Sequence, residues 1–168
     1  VIKVICDNSH YEEVNLNNID YNIPGVYKMI SAGATDGVFQ LESAGMKNFM
    51  KELKPQNLED VIAGISLFRP GPMDEIPTYV ANKGNPANVT YKDEKLKPIL
   101  EVTYGCMVYQ EQIMQIVRDL AGYSFGRADL VRRAMSKKKM DVMEKERDYF
   151  INGIVDENGN VELDGALR

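Results

Sequence analysis

The chain has 168 residues, 44% of them hydrophobic, with 20 Lys+Arg against 25 Asp+Glu for a formal charge of −5. That length suits one domain or a piece of a larger protein, and no apolar run approaches the roughly 18 to 20 residues of a membrane-crossing helix. Cys6 and Cys106 stand far apart without a CxxC, and His10 is the one histidine, which excludes a disulfide framework and a Cys/His zinc site and suggests a reducing cytoplasm.

In chain order, residues 26–32 and 44–53 read as short helices around an extended or turn-like segment, 35–41, that contains Gly37. Residues 57–68 read as a strong amphipathic helix. Leu58, Val61, Ile62, Ile65 and Phe68 fall on one stripe, with Asn57 placed as N-cap and Asp60 as its acidic third residue. This helix must end at Arg69-Pro70-Gly71-Pro72, because the prolines remove backbone donors and disfavour helical dihedrals at Arg69, so Arg69 is expected on a rigid corner. Shorter helices follow at 74–82 and 94–101, the second weakened by Pro98.

Residues 109–121 read as a helix with Tyr109, Ile113, Ile116, Val117 and Leu120 on its buried face, with Glu111, Gln112, Gln115, Arg118 and Asp119 off it and Gly122 closing it. Ser124 then caps a helix to Met135 that buries Ala128, Val131, Ala134 and Met135 and carries Arg127, Arg132 and Arg133 on the rest. A last helix, 140–154, turns Met143, Phe150 and Ile154 inward. The run Glu157-Asn158-Gly159-Asn160 between Ile154-Val155 and Val161-Leu163 signals a hairpin. The expected fold is mainly α, an irregular multi-helix arrangement with a small β-ribbon near the C-terminus. No repeat or flexible linker interrupts it, and the one candidate boundary lies before about Asn22.

The acidity is unevenly spread. Residues 118–147 hold nine Lys/Arg and five Asp/Glu, and within 132–139 five of eight residues are basic and none acidic. This is a focused positive patch on a chain that otherwise repels polyanions, although Lys and Arg also favour the ends of solvated helices. Nucleophilic catalysis has little support, since the one imidazole lies in a polar N-terminal stretch. The adjacent acids Glu59-Asp60 and Asp74-Glu75 read as helix-start residues rather than converging metal ligands, so neither a catalytic residue nor a metal site is expected here. Phosphate binding fits better: Arg69, Arg132, Arg133, Lys137, Lys138 and Lys139 combine guanidinium forks with mobile ammonium charges. Arg132 and Arg133 project about 100° apart on a helix, so one can face a ligand while the other ties to a carboxylate or the backbone. Tyr104, Tyr109, Tyr123 and Phe125 could offer rings to a base or pack in the core, and Met135, Met140 and Met143 read as core filler.

Four motifs carry a resemblance. They are Gly37-Val38-Phe39-Gln40-Leu41-Glu42-Ser43 with Gly45-Met46; Leu67-Phe68-Arg69-Pro70-Gly71-Pro72; Thr103-Tyr104-Gly105 with Tyr109-Gln110-Glu111-Gln112 and Met114-Gln115; and Ala128-Asp129-Leu130-Val131-Arg132-Arg133-Ala134-Met135 with Lys137-Lys138. In order and spacing the chain resembles the bacterial DNA polymerase III alpha subunits, over about residues 19–153. Ser136 stands where many members have Gly, and the Asn158-Gly159 ribbon looks like a lineage-specific insertion.

The resemblance implies a fragment of a replicative, template-directed DNA polymerase, with 1–21 as a lead-in from the end of the palm and 22–168 as the fingers domain. The start at Val1 and the stop at Arg168 in mid-pattern fit a fragment. It implies that Arg69, Arg132, Arg133, Lys137 and Lys138 bind the incoming deoxynucleoside triphosphate, and that Gln40, Ser43, Tyr109 and Gln110 are candidate contacts to nucleotide or template. The catalytic aspartates and their Mg2+ would belong to the palm of the parent, leaving this fragment inactive alone. Primer-template DNA is the implied partner, and sliding clamp, clamp loader and proofreading exonuclease would be reached through other parts of the parent. A non-catalytic helical module that binds nucleic acid or docks a partner is the alternative reading of the same basic helix.

Overall fold

The computed structural model describes Asn15 and residues 17–166. Cys6, His10 and most of the 1–21 segment lie outside these described residues. The α-helices are α1 (Pro24–Ser31), α2 (Ala44–Leu53), α3 (Leu58–Leu67), α4 (Ile76–Gly84), α5 (Lys97–Leu100), α6 (Gln110–Ala121), α7 (Phe125–Ser136) and α8 (Met140–Asn152), followed by β1 (Ile154–Val155) and β2 (Val161–Leu163). The fold is mainly α with one small antiparallel ribbon near the C-terminus. Among the described residues, no helix is long and apolar enough to cross a membrane. The chain divides into two compact units after Ile65, inside α3.

In the first unit α1 packs on α2, burying Tyr27 and Ile30 from one and Met46, Phe49, Met50 and Leu53 from the other. The Ser43 hydroxyl caps α2 by accepting from Met46 N at 3.2 Å. Segment 35–41 is a series of turns, held by the buried Thr35 hydroxyl donating to Leu41 O at 2.6 Å. The start of α3 follows the sequence reading: Asn57 Oδ1 accepts from Asp60 N at 2.9 Å, and Asp60 Oδ2 accepts from Gln56 N at 2.8 Å. Its buried face differs from the expected stripe. Asp60, Ala63, Gly64 and Leu67 are buried, whereas Ile62 is exposed and Leu58, Val61, Ile65 and Phe68 are half-buried. The cause is close approach. A Cβ added at Gly64 would lie 2.6 Å from Met50 Cε and 2.8 Å from Leu53 Cδ2, so α2 is received on the small-residue side.

In the second unit α4 follows a 3-10 turn, Pro72–Glu75, and buries Tyr79 edge-on to Tyr104 with ring centroids 5.3 Å apart. The helix expected over 94–101 is broken into a 3-10 turn, the four-residue α5 and another 3-10 turn. Pro98 thereby falls within the first two residues of α5, where a missing N–H removes no helical bond. Among the described residues of this unit, two core clusters stand out. Ile99, Leu100 and Ile116 form one, and Val117, Ala121, Tyr123, Ala128, Val131 and Leu163 the other. The ribbon pairs Ile154 with Leu163 and Val155 with Val161, and its Asp156 carboxylate accepts from the N–H groups of Asn158 and Asn160. Its packing role is to deliver Leu163 to the second cluster.

Two side-chain expectations are corrected here. Gln112, read as lying off the apolar face of its helix, is 5% exposed. Its Oε1 accepts from Val108 N and Tyr109 N, both at 2.9 Å, and its Nε2 donates to Ile99 O at 3.1 Å and Thr103 Oγ1 at 2.7 Å. All its amide hydrogen-bonding groups are used to tie the loop before α6 onto α5. Met135 and Met140, read as core, are exposed, because Ala128, Val131 and Ala134 alone form the inward stripe of α7 and Met140 opens α8.

Candidate functional site

The site grows from the way α7 begins and ends. Ser124 Oγ accepts from Arg127 N at 3.3 Å, the predicted cap. At the other end Lys138 N donates to Met135 O and Lys139 N to Ala134 O, with Lys138 in the left-handed region at φ 51°. This is the two-bond helix stop that glycine usually completes, here carried by a lysine. The reversal sets Lys137 and Lys139 beside a hollow of about 280 Å³ together with Arg133, over the apolar floor of Leu130, Ala134 and Val142. Lys138, at the apex of the turn, does not line it.

Arg132 faces the other way. With Gln110 it lines a groove of about 550 Å³ that also takes in Met114, Arg118, Phe125 and Asp129. Its Nε and Nη2 donate to Asp129 Oδ1 at 2.9 and 2.7 Å, and its Nη1 donates to Gln110 Oε1 at 3.2 Å. Gln110 Nε2 in turn donates to Ser136 Oγ at 3.0 Å, and Ser136 Oγ donates to Arg132 O at 3.0 Å, which closes a ring of polar contacts between α6 and α7. Arg133 Nε lies 3.0 Å from Asp129 Oδ2, and 59% of its side chain is exposed. Hydrogen bonding from Arg132, with the charges of Arg133 and Arg132 added, holds the Asp129 carboxyl below the usual carboxylate range.

The five cations singled out from the sequence are therefore not one cluster. Arg133 and Lys137 share a hollow, Arg132 sits on the neighbouring groove, and Lys138 lines neither. Arg69 is exposed on the corner expected for it, with Gly71 at φ 112° turning the chain, and it lines neither hollow. Of the candidate contacts, Gln110 lies in the Arg132 groove, and Tyr109 immediately precedes α6, held by the Gln112 amide. In the first unit Gln40 is exposed at φ 64° beside the exposed Phe39, and Ser43 caps α2. Among the rings, Tyr123 is buried with its hydroxyl donating to Glu146 O at 3.0 Å, whereas Phe125 stands exposed at the start of α7.

Three contributors lie outside the set that the resemblance implied. Lys139 is among the phosphate-binding candidates read from the basic run but not among the residues the resemblance implied. Asp129 is passed over, although its spacing of three and four residues from Arg132 and Arg133 is the helical ion-pair signature. The third is the brace of α7 on α8: Arg127 Nε and Nη2 reach the two carboxylate oxygens of Glu146 at 3.0 and 3.2 Å, with the guanidinium over the rings of Tyr123 and Tyr149 at 5.1 and 4.7 Å. No local signal marks a pair separated by a helix turnaround. Among the described residues, no group of three or more His, Cys, Asp or Glu side chains could hold a metal ion.

Comparison with known proteins bears on this arrangement. The DNA polymerase III subunit alpha of Staphylococcus aureus is 49% identical over 140 residues, which is 83% of this chain and 13% of that protein. The corresponding subunit of Staphylococcus epidermidis matches at the same identity and coverage. The chain thus spans about an eighth of the length of these relatives. The family model described as the bacterial DNA polymerase III alpha subunit finger domain matches residues 1–158, and the chain belongs to that family.

Proposed function

We propose that this chain is the fingers part of a replicative DNA-directed DNA polymerase and that it binds the phosphates of the incoming deoxynucleoside triphosphate during primer extension. The observation that carries the reading is the hollow where Arg133, Lys137 and Lys139 converge on a chain whose net charge is negative. A guanidinium with outward-facing donors suits bidentate phosphate contact, and two ammonium groups add mobile point charges. Cations beside the β- and γ-phosphates would also stabilise the charge that develops on the departing pyrophosphate. Arg132 and Gln110, in the adjoining groove, would then face the nascent base pair or template, and Phe125 offers a ring for stacking.

The catalytic aspartates and the Mg2+ of nucleotidyl transfer are assigned, with the resemblance, to other parts of the longer protein. No chemical step is routed through this chain, which is expected to be inactive by itself. Primer-template DNA is the proposed partner, with clamp, clamp loader and proofreading exonuclease met elsewhere in the parent and the whole acting in the cytoplasm. The test is single-nucleotide incorporation by the full-length subunit across deoxynucleotide concentration. Arg133→Ala should lower kcat/KM at least tenfold, about 1.4 kcal/mol of transition-state stabilisation. An unchanged kcat/KM would refute the assignment.

A further inference from the structure

Asp129 lines the Arg132 groove and meets one arginine with each carboxylate oxygen: Oδ1 accepts from Nε and Nη2 of Arg132, and Oδ2 forms an ion pair with Nε of Arg133 at 3.0 Å. The two arginines are held differently. Arg132 has three of its five N–H groups engaged by Asp129 and Gln110, whereas the single contact at Arg133 Nε leaves its four terminal N–H groups without a partner among the described residues, beside Lys137 and Lys139. A long, largely exposed side chain bound at Nε loses rotamer freedom near its base while its fork stays presented outward.

We propose that Asp129 is a positioning residue that pre-orients Arg133 toward the phosphates of the incoming nucleotide, while the same carboxylate locks Arg132 into a bracing role with Gln110 and Ser136. The proposal rests on the reading of the Arg133 hollow as the triphosphate site. It fixes the sign of the effect. If Asp129 pre-orients Arg133, its removal weakens nucleotide binding; if it competes with phosphate for Arg133, its removal strengthens it.

The asymmetry of the two oxygens supplies a selective variant. In Asp129→Asn the amide oxygen can keep accepting from Arg132, and the NH2 group then meets Arg133 Nε donor to donor, so the Arg133 ion pair is lost while the hydrogen bonds to Arg132 keep their acceptor. In the full-length polymerase subunit, Asp129→Asn should raise KM for the deoxynucleotide about threefold to tenfold, the range that corresponds to immobilising one flexible side chain, with kcat changed less than twofold. In an Arg133→Ala background the same substitution should leave KM unchanged, a lack of additivity that general destabilisation would not produce. Asp129→Ala, which also frees Arg132, should raise KM at least as much as Asp129→Asn.

Each other outcome counts against one idea. If Arg133→Ala raises KM but Asp129→Asn leaves it unchanged or lowers it, the positioning role is overturned and the triphosphate site stands. An Asp129→Asn effect that persists in full on Arg133→Ala overturns the role as well. If Arg133→Ala itself leaves KM and kcat/KM unchanged, the triphosphate site fails and the positioning role with it.

Discussion

Replacing Gln112 by Ala removes four hydrogen bonds at once, and the surroundings of the four partners set the cost. Val108 N and Tyr109 N belong to half-buried residues that water can reach, so their loss is partly compensated. Ile99 and Thr103 are 3% and 0% exposed, and there the loss is not made good. Thr103 Oγ1 still donates to Cys106 O at 2.6 Å, which leaves Ile99 O as the buried acceptor that loses its side-chain donor. One orphaned buried acceptor costs about 1 to 3 kcal/mol. Losing the buried methylene adds about 0.8 kcal/mol.

The expected destabilisation is about 3 kcal/mol, read as the shift in urea midpoint at constant m-value followed by circular dichroism. Gln112→Glu adds a pH signature. Its second oxygen would face Ile99 O, so ionisation is disfavoured and the introduced carboxyl has a raised pKa in the folded chain. Stability is then fully present below the unfolded carboxyl value of about 4.3 and is lost as pH rises through the higher folded value. An Ala variant within about 0.5 kcal/mol of wild type, together with a Glu variant whose stability relative to wild type does not vary with pH, would show that water replaces this amide and refute the reasoning.

Three further expectations follow from the same geometry. Glu146→Gln keeps the shape of the brace but leaves the Arg127 guanidinium less compensated between its two rings, and should cost about 2 kcal/mol after allowance for its partial exposure, measured by urea denaturation. Lys138→Gly should stabilise the chain by about 1 kcal/mol in the same assay, because it relieves a left-handed lysine, and should leave deoxynucleotide KM unchanged in the full-length subunit since this side chain lines neither hollow. Burial, with the Glu75 charge added, pushes the Cys106 thiol up to about 11, so its contribution to stability is present below the unfolded value and lost as pH rises toward 11. Alkylation of Cys106 at pH 8, followed on its own peptide apart from Cys6, should therefore proceed at the rate of opening of the fold, and fast modification of Cys106 in the native protein would contradict that burial.

Much of this architecture is legible in local chemistry. Asn57 and Ser124 mark helix starts, Pro70 and Pro72 mark the corner at Arg69, and the turn centred on Asn158-Gly159 marks the ribbon. These features depend on neighbours a few residues away. What depends on packing is not legible in the same way. The apolar stripe of α3 is a good helix signal and a poor guide to burial, because close contact selects Ala63 and Gly64 rather than the largest side chains.

Gln112 reads as a polar residue off the apolar stripe, yet the loop before α6 and the residues around α5 enclose it. At the candidate site the basic run is visible as composition, but its division into two hollows is not. That division is set by the left-handed turn at Lys138 and by the reach of Asp129 to both arginines, a conformational choice and a side-chain geometry that counting charges does not resolve.

Binding of nucleotide phosphates by the Arg133 hollow, rather than of the DNA backbone, is open to direct measurement. The most direct measurement compares the full-length subunit with its Lys137→Ala/Lys139→Ala variant for two quantities, deoxynucleotide KM and the salt dependence of primer-template affinity. A nucleotide site gives a KM raised at least tenfold with the slope of log affinity against log salt unchanged. A slope shallower by about 1 to 2, from lost phosphate contacts to the duplex, with KM unchanged, would contradict it.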